Sequence, residues 1–188
     1  DARRGKEGIR PRKTDILVHK PATATENVNM NINSTITEIS GSKVHLLTAG
    51  SDEGLPVLLL HGASFTGKTW EDIGTIEALA EAGYRVLAVD LPGYGESEST
   101  QVDRSQWFGQ LLDGLKLDKP VIVSPSMSGA FSLPLLTEEP DRVAAFVAVA
   151  PVAIDRYRDK LAQIKCPVLA IWGENDRTIP FEHADALV

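Results

Sequence analysis

Only one cysteine, Cys166, occurs in 188 residues. A single thiol excludes an internal disulfide and any cysteine-rich zinc site. It stands before Pro167 and an apolar run, and it reads as a small buried residue. Long hydrophobic runs are missing too. None approaches the about 20 residues needed to cross a bilayer, so no membrane partner is expected and the chain is assigned to the cytoplasm. There is no excess of positive charge: the formal net charge is −7, which argues against general nucleic-acid binding. That charge is unevenly placed. Residues 1–13 carry six Lys/Arg against two Asp/Glu, a net of +4 that leaves −11 on the remainder. No internal repeat is present.

What is there suits one soluble domain. Hydrophobic residues make up 43% and charged residues 24%, ordinary values for a globular protein. The length allows a substantial core. Residues 1–33 are polar and lack any helical or alternating period, so they are expected to form a disordered arm. Its basic start reads as a solvated tail or part of a targeting peptide. Asn33-Ser34-Thr35 fits the glycosylation acceptor pattern, though nothing else demands secretion. The chain opens on Asp rather than Met, which reads as processing, trimming or a fragment.

From Thr35 to Gly50 apolar residues alternate, predicting two antiparallel strands joined by Ser40-Gly41-Ser42. The character then changes. Val57 to Leu60 is a continuous apolar strand, as expected where both faces are covered. A helix is predicted from Trp70 to Ala82, with Ile73, Ile76, Leu79 and Ala80 on one face and Gly83 as its stop. Arg85–Asp90 reads as a strand and Ser105–Leu115 as a helix. Val143–Ala150 and Val168–Trp172 are two more strands. Strands alternating with helices imply a parallel sheet with right-handed crossovers. Ligands on such sheets sit at the carboxyl ends of the strands. His61-Gly62, Asp90, Ser126, Ala150-Pro151 and Gly173 to Asp176 all fall there.

The sharpest signal is Val121-Ile122-Val123-Ser124-Pro125-Ser126-Met127-Ser128-Gly129. An apolar strand runs into small residues and then a helix-like stretch through Phe131, Leu133 and Leu136, which Pro134 could kink. A serine on such a strand-to-helix corner is a nucleophile elbow. The corner strains the central backbone and pushes the hydroxyl out of the sheet. Strand and helix then approach so closely that the flanking positions must be small. The usual G-x-S-x-G is here Ser124-x-Ser126-x-Ser128, with Gly129 one step later.

A second loop has two readings. Gly62 to Thr69 matches G-x-x-x-x-G-K-[ST], after a strand and before a helix. Val86 to Asp90 resembles the strand that ends in a magnesium-linked Asp. A nucleotide-binding protein with Lys68 on the outer phosphate oxygens is therefore the rival reading. It gives the elbow, the Asp90-to-Ser97 turn and Gly173-Glu-Asn-Asp176 no role.

Another reading uses all of them. His61-Gly62, Phe65, Thr69-Trp70, Asp90-Leu-Pro-Gly-Tyr-Gly-Glu-Ser97, Ser124-Pro-Ser-Met-Ser-Gly129 and Gly173-Glu-Asn-Asp176 resemble the α/β-hydrolase superfamily. The elbow with Ser132-Leu-Pro134 looks closest to its α/β-hydrolase domain-containing protein 14 subfamily. The resemblance runs from about residue 35 to the end. It implies an α/β-hydrolase fold: a mostly parallel sheet with an N-terminal antiparallel hairpin. The connection from Val152 to Lys165 holds one short helix (Tyr157 to Ile164) and no large lid.

What the resemblance implies chemically is a serine hydrolase or deacylase acting on small acyl esters or amides. The acyl acceptor could be water or another group, and no cofactor or metal is implied. Ser126 would be the nucleophile, needing a histidine base and a carboxylate to orient it. Backbone amides of Ala63 and Met127 would form the oxyanion hole. Asp176 follows in the hydrolase order of serine, acid and histidine, with Asp155 as the fallback acid. The base is the difficulty. His19 lies in the arm and His45 in the hairpin, and His61 precedes and supports the oxyanion loop. His183 follows Asp176 by seven residues, at a helix start expected to carry it away from the strand ends. Residues 34–188 are therefore read as a hydrolase domain lacking its last strand, last helix and catalytic histidine, and inactive in this form. A non-catalytic binding protein of the same fold is the alternative.

Overall fold

The computed structural model describes residues 31–187. The arm expected over residues 1–33 thus lies outside the described residues except at its last three positions. Among the described residues seven strands form one sheet in the order β1-β2-β4-β3-β5-β6-β7. These are β1 (Asn33–Ile39), β2 (Ser42–Ala49), β3 (Pro56–Leu59), β4 (Arg85–Val89), β5 (Val121–Pro125), β6 (Ala145–Val149) and β7 (Val168–Ile171). β1 pairs antiparallel with β2, and β2 antiparallel with β4. The remaining pairs are parallel.

The first hairpin follows directly from its turn residues. Ser40 and Gly41 take φ of 54° and 75°, the double positive φ of the two-residue turn that matches strand twist. Ile39 then pairs with Ser42. In the parallel part, the two-residue period splits each strand between two cores. Leu58, Leu60, Leu87 and Val89 face a cluster built with Trp107, Phe108, Leu111 and Phe131. Val57, Leu59, Val86 and Ala88 face a smaller one with Ile76 and Ala80. Burying each large aliphatic side chain contributes about 1.5–3 kcal/mol, so coverage of both faces explains the continuous apolar runs.

The helices are α1 (Lys68–Asp72), α2 (Thr75–Glu81), α3 (Arg104–Gly114), α4 (Gly129–Glu138), α5 (Ile154–Tyr157) and α6 (Glu182–Asp185). The single helix expected over 70–82 is two. Gly74 adopts φ 74°, a left-handed conformation that ends one helix and lets the next set off in a new direction. Ile73, expected in the core, is consequently 63% exposed. Gly83 stops α2 with φ 88°. Between β6 and β7 lie α5 and a 3-10 turn over Arg158–Gln163, so the connection carries two short helical pieces where one was expected. Among the described residues β7 is covered on one face only. Val168 packs on the larger core, while Leu169 and Ile171 remain 57% and 46% exposed.

Candidate active site

The elbow is built as its residues require. β5 runs into a 3-10 turn over Ser126–Ser128 and then α4. Ser126 has φ +49°, a left-handed conformation that costs a non-glycine residue about 1–3 kcal/mol. The Ser126 carbonyl accepts the Val152 N–H at 2.8 Å, which ties the corner to the loop after β6. Gly129 explains the close approach: a Cβ there would lie 2.4 Å from the Val152 oxygen and 2.6 Å from Pro151 Cβ.

The serines around the corner are more than small. Ser124, Ser128 and Ser132 are fully buried. Ser124 Oγ lies 3.0 Å from Ser128 Oγ and 2.8 Å from Ser132 Oγ, and Ser128 donates to the Pro125 carbonyl at 2.7 Å. A hydroxyl has one proton, so the direction is fixed: Ser132 donates to Ser124, Ser124 to Ser128, and Ser128 to Pro125. This ladder satisfies three buried hydroxyls and anchors the peptide that enters Ser126.

The loop after β3 closes over the corner. A Cβ on Gly62 would sit 3.6 Å from Ser126 Cβ, so the loop rests on the serine side chain. His61, 1% exposed, holds the loop. Its Nε2 accepts the Leu91 N–H at 2.9 Å, so its Nδ1 carries the proton and donates to the Gly62 carbonyl at 2.8 Å. Burial pushes its pKa below the ordinary value, opposed by the Gly62 bond and the nearby Asp90 charge. The Tyr94 ring meets His61 edge-on at 5.2 Å, and the Tyr94 hydroxyl reaches Met127 Sδ at 3.1 Å. Among the described residues no acceptor takes up the Ala63 N–H.

A cavity of about 190 Å³ opens at Ser126, walled by Gly62, Phe65, Trp70, Ile73 and Pro125. The break at Gly74 is what leaves Ile73 on its rim. Trp70 is fixed by donating Nε1–H to the Leu60 carbonyl at 2.8 Å. A larger hollow of about 360 Å³ lies between Lys116–Lys119 and Asp141–Arg142, beside the start of β5 and so at the opposite end of the sheet from Ser126.

Asp176 follows β7, which runs parallel to β5 and β6, so it lies at the same end of the sheet as Ser126. Its Oδ1 accepts the N–H groups of Thr178 and Ile179 at 2.8 and 2.9 Å. Those two bonds, Ile179 first, lower its pKa. His183 does not meet Asp176. Its Nε2 lies 3.2 Å from Asp155 Oδ2, and its buried Nδ1 has no partner among the described residues. Asp155 is also held by Arg158, at 2.7 Å. No described histidine lies within hydrogen-bond distance of Ser126 Oγ: His45 and His61 are committed to other partners.

The phosphate-binding reading of Gly62 to Thr69 fails on the same geometry. The Gly67 N–H donates to Asp90 Oδ1 at 2.6 Å, and the Phe65 and Thr69 N–H groups bond within the loop. A buried carboxylate thus occupies the place of an anion. Lys68 turns to Glu71 at 2.9 Å and Asp72 at 3.1 Å, and the Glu71 bond chiefly raises its pKa. Asp90 has no free oxygen for magnesium, because Oδ2 takes His45 Nδ1 and the Glu96 N–H. Cys166 is partly buried, and burial pushes its thiol up to about 11, which disfavours the reactive thiolate.

Comparison with known proteins agrees with this architecture. A family model described as the alpha/beta hydrolase fold matches residues 56–156. The human "Putative protein-lysine deacylase ABHD14B" is 39% identical over 141 residues, covering 70% of this chain and 67% of that one. Rat "Protein ABHD14A" is 38% identical over 137 residues, covering 70% of this chain and 57% of its own length. The crystal structure of a "predicted CIB-like hydrolase" from Thermoplasma acidophilum superposes with a TM-score of 0.79 at 24% identity, covering 84% of this chain and 83% of that one. Among the described residues no helix is long and apolar enough to cross a membrane.

Proposed function

The chain belongs to the α/β-hydrolase family, and on that premise we propose that it is a serine hydrolase or deacylase working through an acyl-Ser126 intermediate. Ser126 Oγ attacks the carbonyl carbon of a small acyl ester or amide. The Ala63 and Met127 N–H groups receive the oxygen as it becomes negative. Collapse expels the alcohol or amine, which takes up the proton lost by Ser126. Water, or another nucleophilic acceptor, then removes the acyl group. Asp176 is the carboxylate that orients the base. That base is a group no described histidine supplies.

The observation that carries this reading is the positive φ of Ser126. A strained serine on a strand-to-helix corner, with a glycine loop resting on its side chain, is the arrangement that pushes a nucleophilic hydroxyl out of the sheet. The apolar cavity beside it supports a small acyl group as substrate. The deacylase name borne by the human relative points the same way. The cytoplasm remains the proposed compartment, on the acidic balance and the single cysteine, and is tested by cell fractionation.

The test is fluorophosphonate labelling with peptide mapping, with and without added imidazole. The phosphonyl group is expected on Ser126, more of it when imidazole serves as the base, and none at that position in Ser126→Ala. A Ser126 that stays unlabelled in both conditions overturns the reading.

A further inference from the structure

A second serine, far from the elbow in sequence, has the two partners that Ser126 lacks among the described residues. Ser34 and His45 share one face of the first hairpin. Ile36 pairs with His45 across the strands, and Ser34 stands two residues earlier, on the same side. Ser34 Oγ lies 2.9 Å from His45 Nε2. His45 Nδ1 lies 2.8 Å from Asp90 Oδ2. The His45 and Asp90 side chains are only 7% and 3% exposed, whereas Ser34 is exposed on β1, the edge strand of the sheet.

The proton positions follow from the partners. An ionised carboxylate only accepts, and Asp90 is fixed by the Gly67 N–H on Oδ1 and the Glu96 N–H on Oδ2. His45 must therefore donate from Nδ1. In the neutral imidazole its Nε2 is then the acceptor, and the Ser34 hydroxyl is the donor. Nucleophile, base and orienting carboxylate are thus in the sequence that activates a serine.

We propose that Ser34 is a second nucleophile, an acyl-acceptor site served by His45 and positioned by Asp90. Its substrates are activated acyl donors, such as aryl esters and thioesters. Ser34 Oγ bonds to the donor carbonyl carbon and its proton passes to His45 Nε2. The bond to the leaving oxygen or sulfur breaks, and that atom takes the proton from His45. Ser34 sits on β1, paired on one edge only, and successive N–H groups of a strand point to opposite edges, so no two adjacent amides converge on one developing oxyanion. Without that stabilisation the site accepts one acyl group and keeps it as an O-acyl serine, and donors with poor leaving groups do not react.

The experiment uses the full chain carrying Ser126→Ala, which separates this site from the elbow. The protein is treated with p-nitrophenyl acetate and its peptides are mapped by mass spectrometry. Acetyl is expected on Ser34 well ahead of Ser51, an exposed serine whose hydroxyl only accepts the Glu53 N–H. Adding His45→Gln, which keeps a donor toward Asp90, should slow Ser34 acetylation about 100-fold or more, the range expected for loss of a general base. Equal labelling of Ser34 and Ser51 overturns the proposal, as does an unchanged Ser34 rate in a folded His45→Gln protein. If that variant does not fold, the ratio of Ser34 to Ser51 in the Ser126→Ala protein still decides.

Discussion

Replacing Gly129 by alanine tests the corner where strand, Ser126 and helix meet. On propensity alone the change should help, because alanine in a helix is favoured over glycine by about 1 kcal/mol. The surroundings oppose it. The added Cβ would stand 2.4 Å from the Val152 oxygen, 2.6 Å from Pro151 Cβ and 2.8 Å from the Val152 nitrogen. Two of these three atoms are backbone and cannot swing aside. Overpacking of this kind costs about 1–3 kcal/mol. Moving residues 151–152 away also strains the Val152-to-Ser126 hydrogen bond, a further loss of about 1 kcal/mol. The balance is a destabilisation of about 1–3 kcal/mol. At about 2–4 °C per kcal/mol for a domain of this size, the melting temperature falls by roughly 2–12 °C. Gly109→Ala is the internal control. It lies in α3, its nearest neighbours would be 3.7 Å away, and it should raise stability by about 0.5–1 kcal/mol. Both variants are followed by circular dichroism in heat and in urea. A Gly129→Ala protein as stable as Gly109→Ala would refute the packing argument at the elbow.

Ser124→Ala removes the middle of the buried hydroxyl ladder and orphans Ser132 as a donor; the expected cost is about 1–3 kcal/mol, read by urea denaturation, against about 1 kcal/mol for Ser132→Ala, which removes only the end. His61 supplies a pH dependence. Burial lowers its folded pKa below the ordinary 6.5, so below that value the unfolded chain binds more protons than the folded one. Its contribution is complete above about pH 6.5 and is lost as pH falls toward the lowered folded value. His61→Gln should therefore flatten this part of the stability–pH curve. Asp176→Asn should lower the melting temperature only slightly, since an amide oxygen can still accept from Thr178 and Ile179 without the charge that strengthens those bonds. It should also lower imidazole-assisted hydrolysis about 10-fold or more, because an amide cannot stabilise the protonated base. A parallel loss of both would make Asp176 a turn residue only.

Much of this was readable from the chain. The apolar runs gave the strands because both faces of a parallel sheet are covered. Ser40-Gly41 gave the hairpin because that turn needs two positive φ values. Three features were not readable, each for a physical reason. Gly74 falls inside the single helix expected over 70–82, yet a left-handed φ there redirects the helix and moves Ile73 from core to cavity rim. The serines flanking the elbow were legible as small, but their hydrogen bonds depend on strand and helix lying side by side. Ser34, His45 and Asp90 meet only because β2 pairs with both β1 and β4. Spacing along the chain carries no trace of that pairing, and His45 therefore read only as a residue of the hairpin. The match of Gly62 to Thr69 to a phosphate loop shows the converse: the letters are present, but Asp90 has taken the amide an anion would need.

The most direct measurement of the central claim is the site of fluorophosphonate attachment in the full chain, mapped by mass spectrometry in the presence of imidazole. The account predicts a phosphonylated peptide containing Ser126, lost in Ser126→Ala and weakened when Gly129→Ala relaxes the corner. A folded protein whose Ser126 peptide remains unmodified while other serines react would contradict it.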